Sequence, residues 1–206
     1  MERFIISHVA IRKSLKEISN HRYLWGLDIS LTCTGVTIYD LDDKEFVHID
    51  SFNTEKIKAI KNRYHNAIKL KAKADWLLEL KEKYPPYFIG IERGFSRYNN
   101  STQTIFRVHG LANYLFHDIP QEYYAVKKIK EVIVHGSATK EDVAITINQK
   151  YPFYFENEDE SDSFSVVLTV LIDKGLIEWE KPKWSEIKKL RVPKPKKTKK
   201  PKKEKV

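Results

Sequence analysis

Four carboxylates fall where a strand end or a helix start would aim them at one point: Asp28, Glu92, Asp159 and Asp162. Asp28 sits late in the apolar run Trp25-Gly26-Leu27-Asp28-Ile29, just before a turn-prone Ser30-Leu31-Thr32-Cys33-Thr34-Gly35. Glu92 closes the run Tyr87-Phe88-Ile89-Gly90-Ile91-Glu92. Asp159 and Asp162 are spaced i and i+3 at the opening of an apolar helical stretch, so they share one helix face. Acids gathered in this way repel one another unless a cation lies between them, and all-oxygen ligand sets suit hard ions such as Mg²⁺ or Mn²⁺. Two such ions about 4 Å apart can activate a water and stabilise the leaving oxygen of a phosphodiester, with no His, Cys or Ser nucleophile. The expectation is a divalent-metal nuclease site with these four acids as ligands.

The elements that must position the acids follow from apolar periodicity and turn residues. Ile5, Val9, Ile11, Leu15 and Ile18 form a helical stripe, which predicts a helical extension over 1–22. Three strands follow at 23–30, 35–40 and 45–52, the last two joined by a tight polar turn at 40–44, as an antiparallel meander. A long helix is expected over 54–83, capped by Thr54 and stopped by Pro85-Pro86. Next come a strand over 87–92, a polar loop to Asn100, and a helix over 101–116 whose Gly110 points to close packing. A short strand at 123–126 precedes a helix at 127–134 and another after Thr139-Lys140-Glu141-Asp142, whose early acids suit the helix dipole. A loop over 151–157 leads to the last long helix, 159–175, with Gly175 as its C-cap. A meander followed by alternating helices and strands predicts an α/β, mixed sheet with helices on both faces, the arrangement of the ribonuclease H-like superfold.

Composition sets the limits of this body. At 206 residues the chain suits one domain, read as 23–187, followed by a disordered Lys/Pro-rich tail over 188–206. The formal charge is +9, and Arg191 to Val206 alone carries +8, so the rest is close to neutral. That distribution describes an electrostatic arm for a polyanion. Cys33 is the only cysteine, which excludes an intrachain disulfide and a zinc ribbon or finger. No run approaches the roughly 18 apolar residues of a membrane span, and no signal-peptide pattern opens the chain. The expectation is a soluble, intracellular protein, cytoplasmic or at the nucleoid, or nuclear in a eukaryotic host.

The ordered motifs resemble those of the RuvC-type Holliday junction resolvases of bacteria and their phage relatives, from about Trp25 to Gly175. Gly26-Leu27-Asp28, with Ser30 and Thr34-Gly35, resembles the first motif, whose aspartate binds metal. Ile89-Gly90-Ile91-Glu92 resembles the second, and Phe95 matches the aromatic that family members insert at the branch point. Gly136-Ser137-Ala138-Thr139-Lys140 resembles the segment whose lysine lies near the scissile phosphate, and Asp159-Glu160-Ser161-Asp162 resembles the closing Asp-x-x-Asp. Departures are visible: Ile29-Ser30 replaces a frequent Pro-Gly, Lys130 or Lys128 could fill a lysine position upstream of Gly136, and Glu158 or Glu160 could replace Asp159 as ligand.

The resemblance implies a Mg²⁺-dependent endonuclease, with Mn²⁺ possible and two ions per site, that cuts four-way junctions symmetrically as a homodimer. Asp28, Glu92, Asp159, Asp162 and Lys140 would be its catalytic residues, the four acids also its metal ligands. Phe95, Arg93, Lys130 and Lys140 would meet DNA. The tail lysines, Lys196, Lys197, Lys199 and Lys200 among them, would hold phosphate backbones by counterion release. Branched DNA is the expected partner, with no membrane. Two readings stand beside it: another ribonuclease H-fold nuclease acting on branched DNA or RNA/DNA hybrids, and a non-catalytic DNA-binding protein. An actin-like or sugar-kinase ATPase is disfavoured, because seven glycines form no later phosphate loop.

Overall fold

In a computed structural model the described residues are 22–57, 65–94 and 99–191, with side chains from Thr102 onward in the last segment. The helical extension expected before His21 and the basic tail beyond Arg191 lie outside them, as does the Phe95 loop. Strands β1 (Tyr23–Ile29), β2 (Cys33–Asp40) and β3 (Glu45–Asn53) form the expected antiparallel meander. Strand β4 (Pro86–Glu92) runs parallel to β1, and β5 (Gln121–Tyr124) parallel to β4. The mixed sheet therefore has the order β3-β2-β1-β4-β5.

Alternation along the strands sends side chains to two cores. On one face, Trp25, Leu27, Ile29, Ile89 and Ile91 meet helices α1 (His65–Lys83) and α2 (Asn99–Leu115) through Leu77, Leu80, Val108 and Ala112. On the other, Leu24, Phe88 and Tyr124 meet α3 (Val126–Ile133), α4 (Lys140–Lys150) and α5 (Glu158–Asp173). Helix α5 is the spine of that side, with Phe164, Val166, Val167, Leu168, Val170 and Leu171 fully buried. Its end is a Schellman motif: Gly175 adopts φ 67°, and the amides of Gly175 and Leu176 bond the carbonyls of Ile172 and Leu171.

Four local expectations change. Among the described residues the long helix starts at His65, and Thr54 does not cap it. The buried Thr54 hydroxyl instead donates to the carbonyls of Leu31 at 2.7 Å and Thr32 at 3.1 Å, tying the exit of β3 to the β1–β2 turn. Strand β5 begins two residues earlier than expected, because its pairing with β4 runs from Gln121 opposite Ile89. Gly110 faces solvent, with nothing within 4 Å of where a Cβ would stand, so close packing does not explain it. Order also continues past residue 187: α6 (Trp184–Lys189) includes Lys188 and Lys189, and Arg191 grips Asp142 through two hydrogen bonds of 2.6 Å.

Candidate active site

Strand register brings the first two acids together. Leu27 of β1 pairs with Ile91 of β4, so Asp28 and Glu92 follow side by side at the carboxyl ends of adjacent parallel strands. Both point away from the Leu27/Ile91 core and toward α5. The start of α5 is pressed against the same spot because Gly35, opposite Asp28 in the register, offers no side chain. A Cβ there would stand 2.0 Å from the Asp159 carbonyl oxygen. Helix α5 is capped by Asn157, whose side chain accepts from the Glu160 amide.

Helix α4 supplies the counter-charge. A capping box starts it: the Thr139 hydroxyl accepts from the Asp142 amide, and the Asp142 carboxylate from the Thr139 amide at 2.7 Å. Although burial works against it, the Asp142 carboxyl is held down to about 2 by Arg191 and the Thr139 bonds. That fixed start aims Lys140 at Asp162, to whose carboxylate its ammonium donates, with Glu158 farther off at 3.9 Å.

The electrostatics follow from four acids against few cations. Burial, then the charges of Glu92, Asp162 and Asp159, pushes the Asp28 carboxyl up to about 8. Burial, then Asp162, pushes Glu92 up to about 7, against the pull of Lys140 and Lys130. Asp162 is also raised by burial, despite its bond to Lys140. Burial lowers the Lys140 ammonium, but Asp162 and the other acids outweigh it and the net direction is up. Asp159 acts on Asp28 and Asp162 and on the buried Cys33 thiol, which burial and then this carboxylate push up to about 12.

The glutamates flanking Asp159 have other places. Glu160 is buried and accepts from Ser51 Oγ at 3.0 Å, the Glu156 amide at 2.8 Å and Asn157 Nδ2 at 3.2 Å, on the β3 side. The Glu158 side chain is 87 % exposed. Lys130 stands with Glu92, Lys140, Asp162 and Ser165 around a cavity of about 20 Å³, whereas Lys128 pairs with Asp173 at 2.9 Å. Arg93 is exposed directly after Glu92, its amide bonded to the Tyr124 carbonyl. Phe95, Lys196, Lys197, Lys199 and Lys200 lie outside the described residues.

Divalent ions fit this donor set in chemistry. The acids are hard oxygen donors whose ionisation is penalised by burial and by one another, a penalty that a bound cation would offset. Among the described residues no three His, Cys, Asp or Glu side chains already stand at the spacing that grips a metal. The Lys140 ammonium, bonded to Asp162, neutralises part of the cluster in this arrangement.

Sequence reading missed Lys73. It is fully buried on α1, its ammonium donating to Thr34 Oγ1 at 2.7 Å and less closely to the Phe52 carbonyl at 3.4 Å. Burial lowers it to about 8, while Cys33, Asp159 and Asp28 pull it upward, so it backs the acid cluster from behind β2. The signal was present: Lys73, Leu77 and Leu80 share one helical stripe, which puts the lysine on the buried face.

No family model and no curated protein matches this sequence. Solved structures do. A Thermus thermophilus RuvC in complex with Holliday junction substrate superposes with a TM-score of 0.61 at 16% identity, covering 76% of this chain and 96% of that one. A second Thermus thermophilus RuvC structure gives 0.61 at 18%, covering 75% and 96%. The yeast mitochondrial Holliday junction resolvase gives 0.51 at 15%, covering 82% and 87%. The chain thus has a ribonuclease H-like fold. Within that class its architecture is similar to those of the two RuvC structures.

Proposed function

We propose that this chain is a divalent-metal endonuclease that resolves four-way DNA junctions. The observation that carries the reading is the convergence of Asp28, Glu92, Asp159 and Asp162, with Lys140, at one end of a resolvase-type sheet. Buried acids with ionisation raised to about 8 and about 7 are poor structural ornaments and good ligands for a cation. Asp28, Glu92, Asp159 and Asp162 would hold two Mg²⁺ or Mn²⁺ ions. Such a pair, when bound, supplies an activated water and stabilises the leaving 3′-oxygen. Lys140 turns from Asp162 to the reacting phosphate, and Lys130 and Arg93 hold the adjoining backbone. Phe95 wedges at the branch point, and the lysines of the tail retain the DNA. The products are nicked duplexes with 5′-phosphate and 3′-hydroxyl ends. Two opposed nicks require two sites related by a two-fold axis, hence a homodimer.

The test incubates labelled four-way junction, linear duplex and RNA/DNA hybrid with the protein, in Mg²⁺ or EDTA, beside Asp28→Asn. Paired, metal-dependent nicks in the junction that vanish in the variant support the proposal. Equal cutting of all three substrates removes junction selectivity. Tight binding without metal-dependent cutting favours the non-catalytic reading.

A further inference from the structure

Lys73 on α1 is fully buried, and the reaction above gives it no task. Its ammonium carries three donors. It makes one close hydrogen bond, to Thr34 Oγ1 at 2.7 Å, and one long one, to the Phe52 carbonyl at 3.4 Å. Among the described residues no carboxylate pairs with it, whereas Lys174, also buried, is paired with Glu122. Replacing a buried charge so thinly compensated by an apolar side chain of similar size is often neutral or stabilising, so the fold alone does not account for Lys73.

What the ammonium holds does account for it. Successive side chains of β2 point to opposite faces of the sheet. Thr34 faces α1 and meets Lys73, while its neighbours Cys33 and Gly35 face α5. Both neighbours meet Asp159: the Cys33 thiol feels its carboxylate, and Gly35 admits its carbonyl oxygen to 2.0 Å from where a Cβ would stand. Across the ladder Thr34 pairs with Ile29, and the next pair is Gly35 with Asp28. The Thr34 hydroxyl, while accepting from Lys73, donates to the Ser30 carbonyl at 3.0 Å, which closes the β1–β2 turn just after Asp28. One hydroxyl thus ties the end of the Asp28 strand to the seat of Asp159. Lys73 fixes that hydroxyl from the far face of the sheet, and α1, packed through Leu77 and Leu80, is the base it acts from.

We propose that Lys73 is a positioning residue of the metal site: through Thr34 it holds Asp28 and Asp159 at the separation a divalent ion requires. This rests on the nuclease reading for the presence of the ion. Groups that orient metal ligands without touching the metal matter about 10–100-fold to its binding. A bare counter-charge is the rival role, and it predicts the opposite sign, since removing a cation from behind the acids would tighten their hold on an ion. A packing role is the other rival, and it predicts a loss of stability.

The experiment compares wild type with Lys73→Met, Thr34→Ser and the double variant Lys73→Met/Thr34→Val, each in the full chain. Mn²⁺ binding is measured by titration calorimetry, and stability by urea unfolding without metal. Lys73→Met deletes the ammonium and keeps an unbranched apolar stem. The double variant replaces both partners by apolar groups of like shape, an exchange that is nearly neutral for folding. Both should unfold at the wild-type urea concentration or above it, while binding Mn²⁺ about 10–100-fold more weakly. Thr34→Ser keeps the hydroxyl but loses a buried methyl, so it should be the less stable protein with wild-type affinity for Mn²⁺. Junction binding in EDTA should be the same in every variant. Affinity that is unchanged or tighter in Lys73→Met overturns the proposal, as does affinity that falls in step with the urea midpoint across the variants. So does a loss in Thr34→Ser equal to that of the double variant. Failure of the nuclease reading is seen separately, as wild-type protein that binds Mn²⁺ no better than Asp28→Asn.

Discussion

Replacing Gly35 by Ala should dislodge the acid cluster more than its single methyl suggests. The added Cβ would stand 2.0 Å from the Asp159 carbonyl oxygen and 2.5 Å from its carbon, where real contacts are essentially never under 3.0 Å. Both obstructing atoms are backbone, so no side chain can rotate away, and the start of α5 must retreat by about 1 Å. Asp159 and Asp162 ride on that turn. Overpacking of this kind costs about 1–3 kcal/mol of stability, and a 1 Å misplacement of reacting groups costs on the order of 10²-fold in rate. Gly26→Ala separates the two effects. Its Cβ would meet the Ser163 carbonyl and a Val167 methyl at 2.5 Å, farther along α5. It should destabilise to a similar degree while slowing cleavage less. Gly110→Ala, with open space around it, should be neutral or add about 0.5–1 kcal/mol. Urea unfolding and single-turnover junction nicking at saturating Mg²⁺ measure both quantities. Wild-type stability in Gly35→Ala, or equal rate losses at Gly26 and Gly35, would refute the argument that Gly35 sets the depth of α5.

Three further expectations follow from the same geometry. In the folded protein Asp28 and Glu92 keep their protons up to about 8 and about 7, whereas unfolded carboxyls release theirs near 4. The folded chain therefore binds more protons in that window, and metal-free stability should fall as pH rises from about 5 to about 8. Asp28→Asn should flatten that slope and Mg²⁺ should oppose it in calorimetric Tm; a metal-free Tm whose pH slope is the same in Asp28→Asn contradicts the assignment. Asp142→Ala removes the box that starts α4 and the partner of Arg191, and should cost about 1–2 kcal/mol in urea unfolding. Cleavage should fall further than the lost stability accounts for, because Lys140 is the next residue after Thr139. Ending the chain after Arg191, which keeps the pair with Asp142, should weaken DNA binding and lower its salt slope while leaving metal-dependent cutting intact. An unchanged salt slope would make the tail irrelevant to binding.

Much of this was legible in the chain alone. Apolar alternation and turn residues marked all five strands to within two or three residues, because strand period and turn chemistry are local properties. The same holds for α5, whose unbroken apolar run and Gly175 are signals within a few residues of one another. Thr54 was misread because a hydroxyl before an apolar stretch looks like a cap in sequence. Only tertiary structure shows that it donates to Leu31 and Thr32 across the sheet. Gly35 stood in a motif, but its use as the seat for α5 needs a partner more than a hundred residues away.

The sequence by itself determined which residue types are available for the chemistry and which local elements carry them. Acids at strand ends and at a helix start were visible there, as was the separation of charge between a near-neutral body and a basic tail. Tertiary structure alone decided their relations. The β1–β4 register sets Asp28 beside Glu92, and the Ser51, Glu156 and Asn157 bonds draw Glu160 away from the cluster. Lys130 rather than Lys128 shares a cavity with the acids, and Lys73 and His109 become buried polar groups that call for an explanation. The physical reason is range. Propensity and capping act over a few residues, whereas desolvation and the repulsion of gathered charges exist only once the sheet and α5 have brought distant carboxylates together.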